Sequence, residues 1–280
     1  LEILQHAPFR YRLVEWTFDA ESMYPSDYTA GNEDAVIEIT GASFEGFASG
    51  ASGRAANSDA WQDPVDGPAF WSASFEPHGL TNLQVSSVQY GSSTGPRDFR
   101  IETSSNGSDW DIVPGGNIRV ASNWSTGRID SLPLPAVLNT NETAYVRWLI
   151  TSDTSVNRST IGSSGTNRLD NVAITGTHPN PQRVSVYPGD ANHDGTVNAD
   201  DVLPLGIYWM ERGPPPIYNS NNFFTREVEA WLEHEATYAD TRGDGRIDHR
   251  DLMVIGLNFG STVTTKKQSL VDARNAIRLP

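Results

Sequence analysis

"GDANHDGTVNADDV", residues 189–202, sets an oxygen-bearing side chain at alternate positions around one glycine. Asp190, Asn192 and Asp194 precede Gly195, and Thr196, Asn198 and Asp201 follow it. A hard divalent cation such as Ca2+ collects six to eight oxygens from a tight turn, with glycine where the chain bends. In that reading Thr196 offers its backbone carbonyl, Asn198 a side-chain or water-bridged contact, and Asp201 a carboxylate from the start of the next helix. Val197 is the apolar residue expected to pair this loop with a second one through a short strand contact.

A second loop follows fifty residues on, "ADTRGDGRIDHRDL" (239–252). Asp240, Asp244, Gly245, Arg246, Ile247, Asp248 and Asp251 match Asp190, Asp194, Gly195, Thr196, Val197, Asn198 and Asp201. Arg246 therefore enters the ligand set through its carbonyl. The segments after the loops also match, "DVLPLGIYW" against "DLMVIGLNF". One substitution breaks the pattern: Arg242 stands where the first loop has Asn192. A guanidinium has no lone pair to give, and its charge opposes the ion. Asp248 in place of Asn198 restores one negative charge. The second loop is expected to keep calcium with a water or fewer side-chain ligands, Arg242 swinging outward.

Residues 189–260 resemble a dockerin domain, a pair of calcium-loop-plus-helix repeats without the entering helix of a full EF-hand. The resemblance implies two structural Ca2+ ions, folding coupled to metal, and docking to a cohesin. The pairs standing where cohesin-binding dockerins carry their recognition side chains are Ala199–Asp200 and His249–Arg250. They match neither each other nor the hydroxyl pair common in cellulosomal dockerins, which argues against a cohesin partner and for a structural metal. A long insert, 211–239, separates the repeats; its "TREVEAWLEHEA" reads as helix.

Upstream the periodicity changes to two. "RYRLVEWTFD", "AVIEIT", "FWSASFE", "RDFRIETS", "AYVRWLIT" and "RLDNVAIT" alternate apolar with polar residues between Gly, Ser, Asn and Pro clusters. That pattern predicts an antiparallel sandwich. "YGSSTGPRDFRIETSSNGSDW" (90–110) with "NRLDNVAITGT" (167–177) resembles a jelly-roll domain of secreted bacterial proteins, which implies a fold and no activity. The predicted fold class is mainly β plus small α: an antiparallel jelly-roll β-sandwich followed by a dockerin-like pair of calcium loop-helix repeats. Residues 1–9 form an extension, 10–177 the sandwich, 178–188 a Pro-rich stiff linker, 189–260 the repeats and 261–280 a basic tail. Jelly rolls of carbohydrate-binding modules often hold a further calcium between first and last strands; Asp19 and Asp170 are its candidates, with ordinary turn and strand-edge aspartates favoured. Trp61, Trp110 and Trp124, in polar stretches, are candidates for a polysaccharide platform, whereas Trp16, Trp71 and Trp148 belong to the core.

The formal charge of −15 excludes a nucleic-acid footprint. With no cysteine there is no disulfide and no thiol chemistry. No apolar run is long enough to insert into a membrane. The chain starts at Leu1, which favours a cleaved leader and a secreted, cell-surface protein. Four N-x-S/T sequons, at Asn106, Asn123, Asn141 and Asn157, are expected to be unmodified. No nucleophile elbow, H-E-x-x-H or phosphate loop occurs, so the protein is expected not to be an enzyme. The first functional expectation is a homo-oligomer or polymer, a surface filament built through "LEILQHAPF" and the tail's "STVTT" adding strands to a neighbour's sheet. The alternative is a carbohydrate-binding module attached to a scaffold through its dockerin-like domain.

Overall fold

The structure, a computed structural model, describes residues 8–61, 69–140, 142–216 and 221–263. Fourteen strands occur among them: β1 (Arg10–Trp16), β2 (Asp27–Tyr28), β3 (Ile37–Thr40), β4 (Ser43–Ser49), β5 (Arg54–Asp59), β6 (Phe70–Phe75), β7 (Thr81–Gly91), β8 (Asp98–Ser104), β9 (Asp111–Arg119), β10 (Gly127–Pro133), β11 (Ala144–Ile150), β12 (Asn167–Thr177), β13 (Arg183–Val186) and β14 (Arg226–Glu229). Three short α-helices follow the sandwich: α1 (Val202–Ile207), α2 (Ala236–Ala239) and α3 (Asp251–Asn258). Two compact units result, residues 1–179 and 180–280.

The first unit is a two-sheet antiparallel sandwich. One sheet runs β10-β7-β12-β1-β2, with β5 also on β12 and β4 on β5; the other runs β3-β6-β11-β8-β9. The first and last strands lie side by side, Arg10 opposite Thr177 and Trp16 opposite Val172. Alternation explains the faces. In β6 Trp71, Ala73 and Phe75 are buried while Phe70, Ser72 and Ser74 look outward, and β11 buries Val146 and Trp148. A buried indole needs an acceptor for its N–H. Trp71 donates to Asn167 (2.8 Å), Trp148 to Ser87 (2.9 Å) and Trp61 to Ser58 (3.0 Å). Gln89 also donates to Asn167 Oδ1 (3.1 Å), so one buried amide ties both indole and strand β7 to β12. Each such tryptophan removes roughly 150–250 Å² from water, about 4–6 kcal/mol gross at ~25 cal/mol per Å².

Trp61 departs from expectation. It is fully buried against Trp71 (6.1 Å between ring centroids) and Phe99 (5.4 Å) and is not a surface platform. Its polar sequence neighbours concealed that burial. The sequons have a local explanation: the carbonyls of Asn106, Asn123 and Asn157 accept N–H groups two or three residues on, as Asx-turns do. Asn141 lies outside the described residues.

In the second unit, two predictions fail together. Residues 183–186, assigned to a stiff linker, form β13, and the insert's supposed helix supplies β14, its partner. Val184 faces Val228, and Val186 and Val228 are buried with Tyr238. The Glu, Ala and Leu of "TREVEAWLEHEA" favour helix locally, but Val228 gains burial only by pairing with β13. Helix begins later, at Ala236.

Candidate functional site

The two loops fold as repeats. Gly195 and Gly245 both have positive φ (87° and 81°), which only glycine adopts at little cost. Val197 and Ile247 are fully buried in one core with Leu205, Phe223, Trp231, Ala236 and Ile255. They do not, however, pair with each other by main-chain hydrogen bonds. Val197 N–H donates to Ser261 O (2.9 Å) and Gly260 N–H to Val197 O (2.8 Å). Ile247 N–H donates to Glu211 O (3.1 Å) and Met210 N–H to Ile247 O (3.0 Å). Each loop is laced to the segment leaving the other repeat's helix. The apolar side chains meet in the core, which satisfies burial, and the polar backbone finds its partners at the flanking exits.

In the first loop Asp201 is buried and accepts from Ala191 (2.7 Å) and Asn192 (3.1 Å) on Oδ1 and from Asn198 (2.7 Å) on Oδ2. Asp190 Oδ2 accepts from Gly195 (3.1 Å), while its Oδ1 is buried without a partner. Burial raises the pKa of both carboxyls, and the Asp201 charge adds to the rise at Asp190. Asn192 and Asp194 pair on the rim, Nδ2 to Oδ2 at 3.0 Å. Asp194 Oδ1 accepts from Thr196 N–H (2.8 Å) and Asn198 Oδ1 from Asp200 N–H (2.7 Å). An orphaned buried carboxylate oxygen, a like-charged neighbour and an all-oxygen donor set fit a calcium ion. Among the described residues no three His, Cys, Asp or Glu side chains converge on a single point. The set is therefore mixed, with Asn192, Asn198 and the Thr196 carbonyl beside Asp190, Asp194 and Asp201.

The second loop differs in detail. Asp240 takes three N–H groups, Gly243 (2.8 Å) and Asp244 (3.1 Å) on Oδ1 and Gly245 (2.9 Å) on Oδ2. Burial pushes its pKa up to about 7, and Asp251 adds to that rise. Asp251, also raised by burial, accepts from Arg242 N–H (2.9 Å) and Asp248 N–H (2.8 Å). Asp248 Oδ1 accepts from Arg250 N–H (2.8 Å). Arg242 does not swing outward: its Nη1 donates to Asp244 Oδ2 at 2.7 Å, the bond that Asn192 makes to Asp194. The side chain of Arg246 turns to the Met210 sulfur (3.0 Å), leaving only its carbonyl to the loop.

The helices after the loops, with the residues that leave them, carry a second feature, also repeated at fifty residues. Val202, Leu203, Ile207 and Trp209 are exposed, and so are their counterparts Leu252, Met253, Leu257 and Phe259. Leu203 and Leu257 are both 68% exposed. Gly206 and Gly256 lie between them with nothing within 4 Å of a built Cβ. The buried face is used by Leu205, Val254 and Ile255.

On the sandwich, register assembles an outward row across the five-stranded sheet: Glu38, Ser72, Arg147, Glu102 and Ile112. The Arg147 guanidinium lies 4.1 Å from the Trp110 ring and 5.1 Å from Phe70. Buried Glu102 receives Arg147 through Nε (2.9 Å) and Nη2 (2.6 Å), and Arg100 through Nε (2.9 Å) and Nη2. Of the three tryptophans expected at the surface, Trp110 therefore sits in a half-buried aromatic–guanidinium cluster. Trp124 packs on Tyr90 (5.3 Å) of the other sheet. Sequence reasoning missed Arg147 and Phe70, whose strand alternation alone pointed them outward.

Asp19 and Asp170 approach one turn. Asp19 Oδ1 accepts from Arg54 (2.8 Å), and buried Asp170 accepts from Ala51 (2.7 Å) and Asn171 (2.7 Å). A Cβ on Gly53 would lie 1.8 Å from Asp19 Oδ1, and one on Gly50 2.5 Å from Asp170 Oδ2. Desolvation pushes the Asp170 pKa up to about 6, with the Asp19 charge contributing.

The self-assembly segments fare less well. Residues 1–7 and 264–280 lie outside the described residues. The start of "STVTT" is already in use within the chain: Thr262 bridges Thr196, and Val263 N–H donates to Gly195 O (3.0 Å). A strand edge occupied at home is not offered to a neighbour.

The paired loop-helix repeats coincide with the span that matches a known family. Residues 188–256 are a dockerin type I domain. Dockerin type I domains bind calcium, which agrees with the donor set of the first loop. No curated protein matches the chain. Among solved structures, TmCBM61 in complex with β-1,4-galactotriose is 9% identical with a TM-score of 0.31, covering 56% of this chain and 92% of that one. The CBM22-1 xylan-binding domain of Paenibacillus barcinonensis Xyn10C is 10% identical (TM-score 0.31; 62% and 100% covered). The K3 cleaved adhesin domain of Lys-gingipain from Porphyromonas gingivalis is 13% identical (TM-score 0.32; 59% and 99% covered). Such likenesses bear no argument on what the sandwich binds. No described helix is long and apolar enough to cross a membrane.

Proposed function

We propose that this is a secreted, non-catalytic binding protein whose sandwich holds a polysaccharide and whose dockerin domain fastens it to a cohesin-bearing scaffold. The observation that carries the reading is the duplicated set of exposed apolar residues on α1, α3 and the turns just after them. Eight large apolar side chains stand in solvent at matched positions of a small domain, and an excess of exposed apolar surface of this kind points to docking. Ala199–Asp200 and His249–Arg250, which argued against a cohesin, sit beside this face as exposed groups. Recognition then rests on the apolar helix residues rather than on a hydroxyl pair. Attachment accounts for this surface; polymerisation through the chain ends does not.

Asp190, Asn192, Asp194, Thr196, Asn198 and Asp201 hold a structural calcium in this reading, orienting α1 for docking. The Trp110–Arg147–Phe70 cluster supports glycan binding: Arg147 covers one face of each ring and fixes it, the ring surface left open offers an apolar patch for the C–H face of a sugar, and Ser72, Ser74 and Tyr145 on the same strands offer hydrogen-bonding groups. Affinity electrophoresis of the sandwich in a panel of soluble polysaccharides tests the first half; Trp110→Ala should abolish any retardation. Capture on immobilised type I cohesin in calcium tests the second. Failure in both assays would sink the proposal.

A further inference from the structure

The dockerin domain carries two matched loops with unequal charge balance. Residues 184–211, which contain the first loop, have neither Lys nor Arg. Asp190 and Asp201 are buried there, and Asp190 Oδ1 has no partner. The second loop has four aspartates, Asp240, Asp244, Asp248 and Asp251; two arginine side chains bond into it and two others act on it only through their field. Arg242 pairs with Asp244 at 2.7 Å. Arg246 and Arg250 act electrostatically on Asp248. The fourth, Arg226, comes from the insert on β14. Its Nη2 donates to Thr241 O (3.0 Å) and its Nη1 to Arg242 O (3.3 Å), and Asp240 and Asp251 both act on its charge.

The local geometry is built for this guanidinium. Gly243, at φ 72°, passes so close that a Cβ there would lie 2.5 Å from Arg226 Nη1. The matching residue of the first loop is His193, which stacks on Tyr238 at 4.1 Å instead. Both oxygens of Asp240 are satisfied by loop N–H groups, where Asp190 leaves one bare. A guanidinium held against two carbonyls offsets the buried carboxylates from behind the loop, and a second cation entering would meet that charge across a low-dielectric interior.

We infer that the second loop is braced by Arg226 and Arg242 in place of an ion, so that the domain takes a single calcium, in the first loop. This rests on the calcium reading of the first loop, and the experiment separates the two. The full chain, stripped with chelator, is titrated with Ca2+ by calorimetry, with stoichiometry checked by native mass spectrometry. One ion is expected for the wild type. Asp194→Ala should lose it, Asp244→Ala should keep it, and Arg242→Asn should admit a second, weaker ion. Arg226→Gln removes a side chain held by two backbone carbonyls and puts folding itself at risk; the Arg242→Asn and Asp244→Ala variants leave Arg226 in place. Two specifically bound ions in the wild type, whatever the ratio of their affinities, or loss of the ion in Asp244→Ala, would overturn the inference. No ion at all would overturn the first-loop reading itself.

Discussion

Replacing Gly243 by Ala should destabilise the dockerin domain far more than the same change at Gly260. Both glycines have positive φ, 72° and 79°. An alanine in that region costs about 1 kcal/mol from backbone strain alone. At Gly260 nothing lies within 4 Å of the new Cβ, so the cost ends there. At Gly243 the Cβ meets Arg226 Nη1 at 2.5 Å and Pro216 Cγ at 3.0 Å. The guanidinium must withdraw from the Thr241 and Arg242 carbonyls, and hydrogen bonds from a charged group contribute roughly 1.5–3 kcal/mol each. Allowing for partial rearrangement, Gly243→Ala should lose about 2–4 kcal/mol more than Gly260→Ala. For a unit of this size that is roughly 10–20 °C in its melting temperature. Scanning calorimetry of the full chain reads the dockerin transition against the sandwich transition, which should not move. Two variants within about 1 kcal/mol of each other would show that Arg226 is an incidental neighbour.

Chelation should lower the dockerin transition and leave the sandwich nearly unchanged; free Ca2+ at about a thousandfold over its dissociation constant is worth ~4 kcal/mol, and an unmoved transition in calorimetry would count against a bound ion. Ile207→Asp and Leu257→Asp, at exposed sites, should shift stability by no more than about 0.5 kcal/mol while abolishing cohesin capture, and the double variant should bind no better than either single one. The chelator-treated sandwich should become more stable as pH falls. Asp170 has its folded pKa raised to about 6, above the unfolded value, so its ionised form opposes folding. That penalty, at most about 3 kcal/mol, is present above pH 6 and fades as pH falls towards about 4. Urea midpoints falling over that window would refute it.

The loops were legible because their chemistry is local. Oxygen at alternate positions, one glycine and a repeat of fifty residues specify the turn without help from the rest of the chain. The strands were legible for the same reason, since alternation in "FWSASFE" states which face of β6 is buried. What stayed hidden depends on partners distant in sequence. β14 reads as helix because its value lies in Val184, more than forty residues away. Trp61 reads as surface because its burial comes from Trp71 and Phe99. Arg226 belongs to the non-repeating insert, so comparing the repeats could not find it. The apolar residues of the exposed helix faces stand in "DVLPLGIYW" and "DLMVIGLNF", but a matched pattern specifies only matched helices. Nothing in the sequence said which side the core would use.

The crossed lacing of the repeats also bears on how such a domain can be taken apart. Val197 depends on Gly260 and Ser261, and Ile247 on Met210 and Glu211. Neither half carries a complete set of its own backbone partners, so a lone repeat is a fragment and not a smaller domain. The two copies are hostages to one another. Severing the polypeptide between them should yield two inert pieces that recover shape only on meeting. That is the behaviour wanted of a split reporter, with the insert as the place to cut.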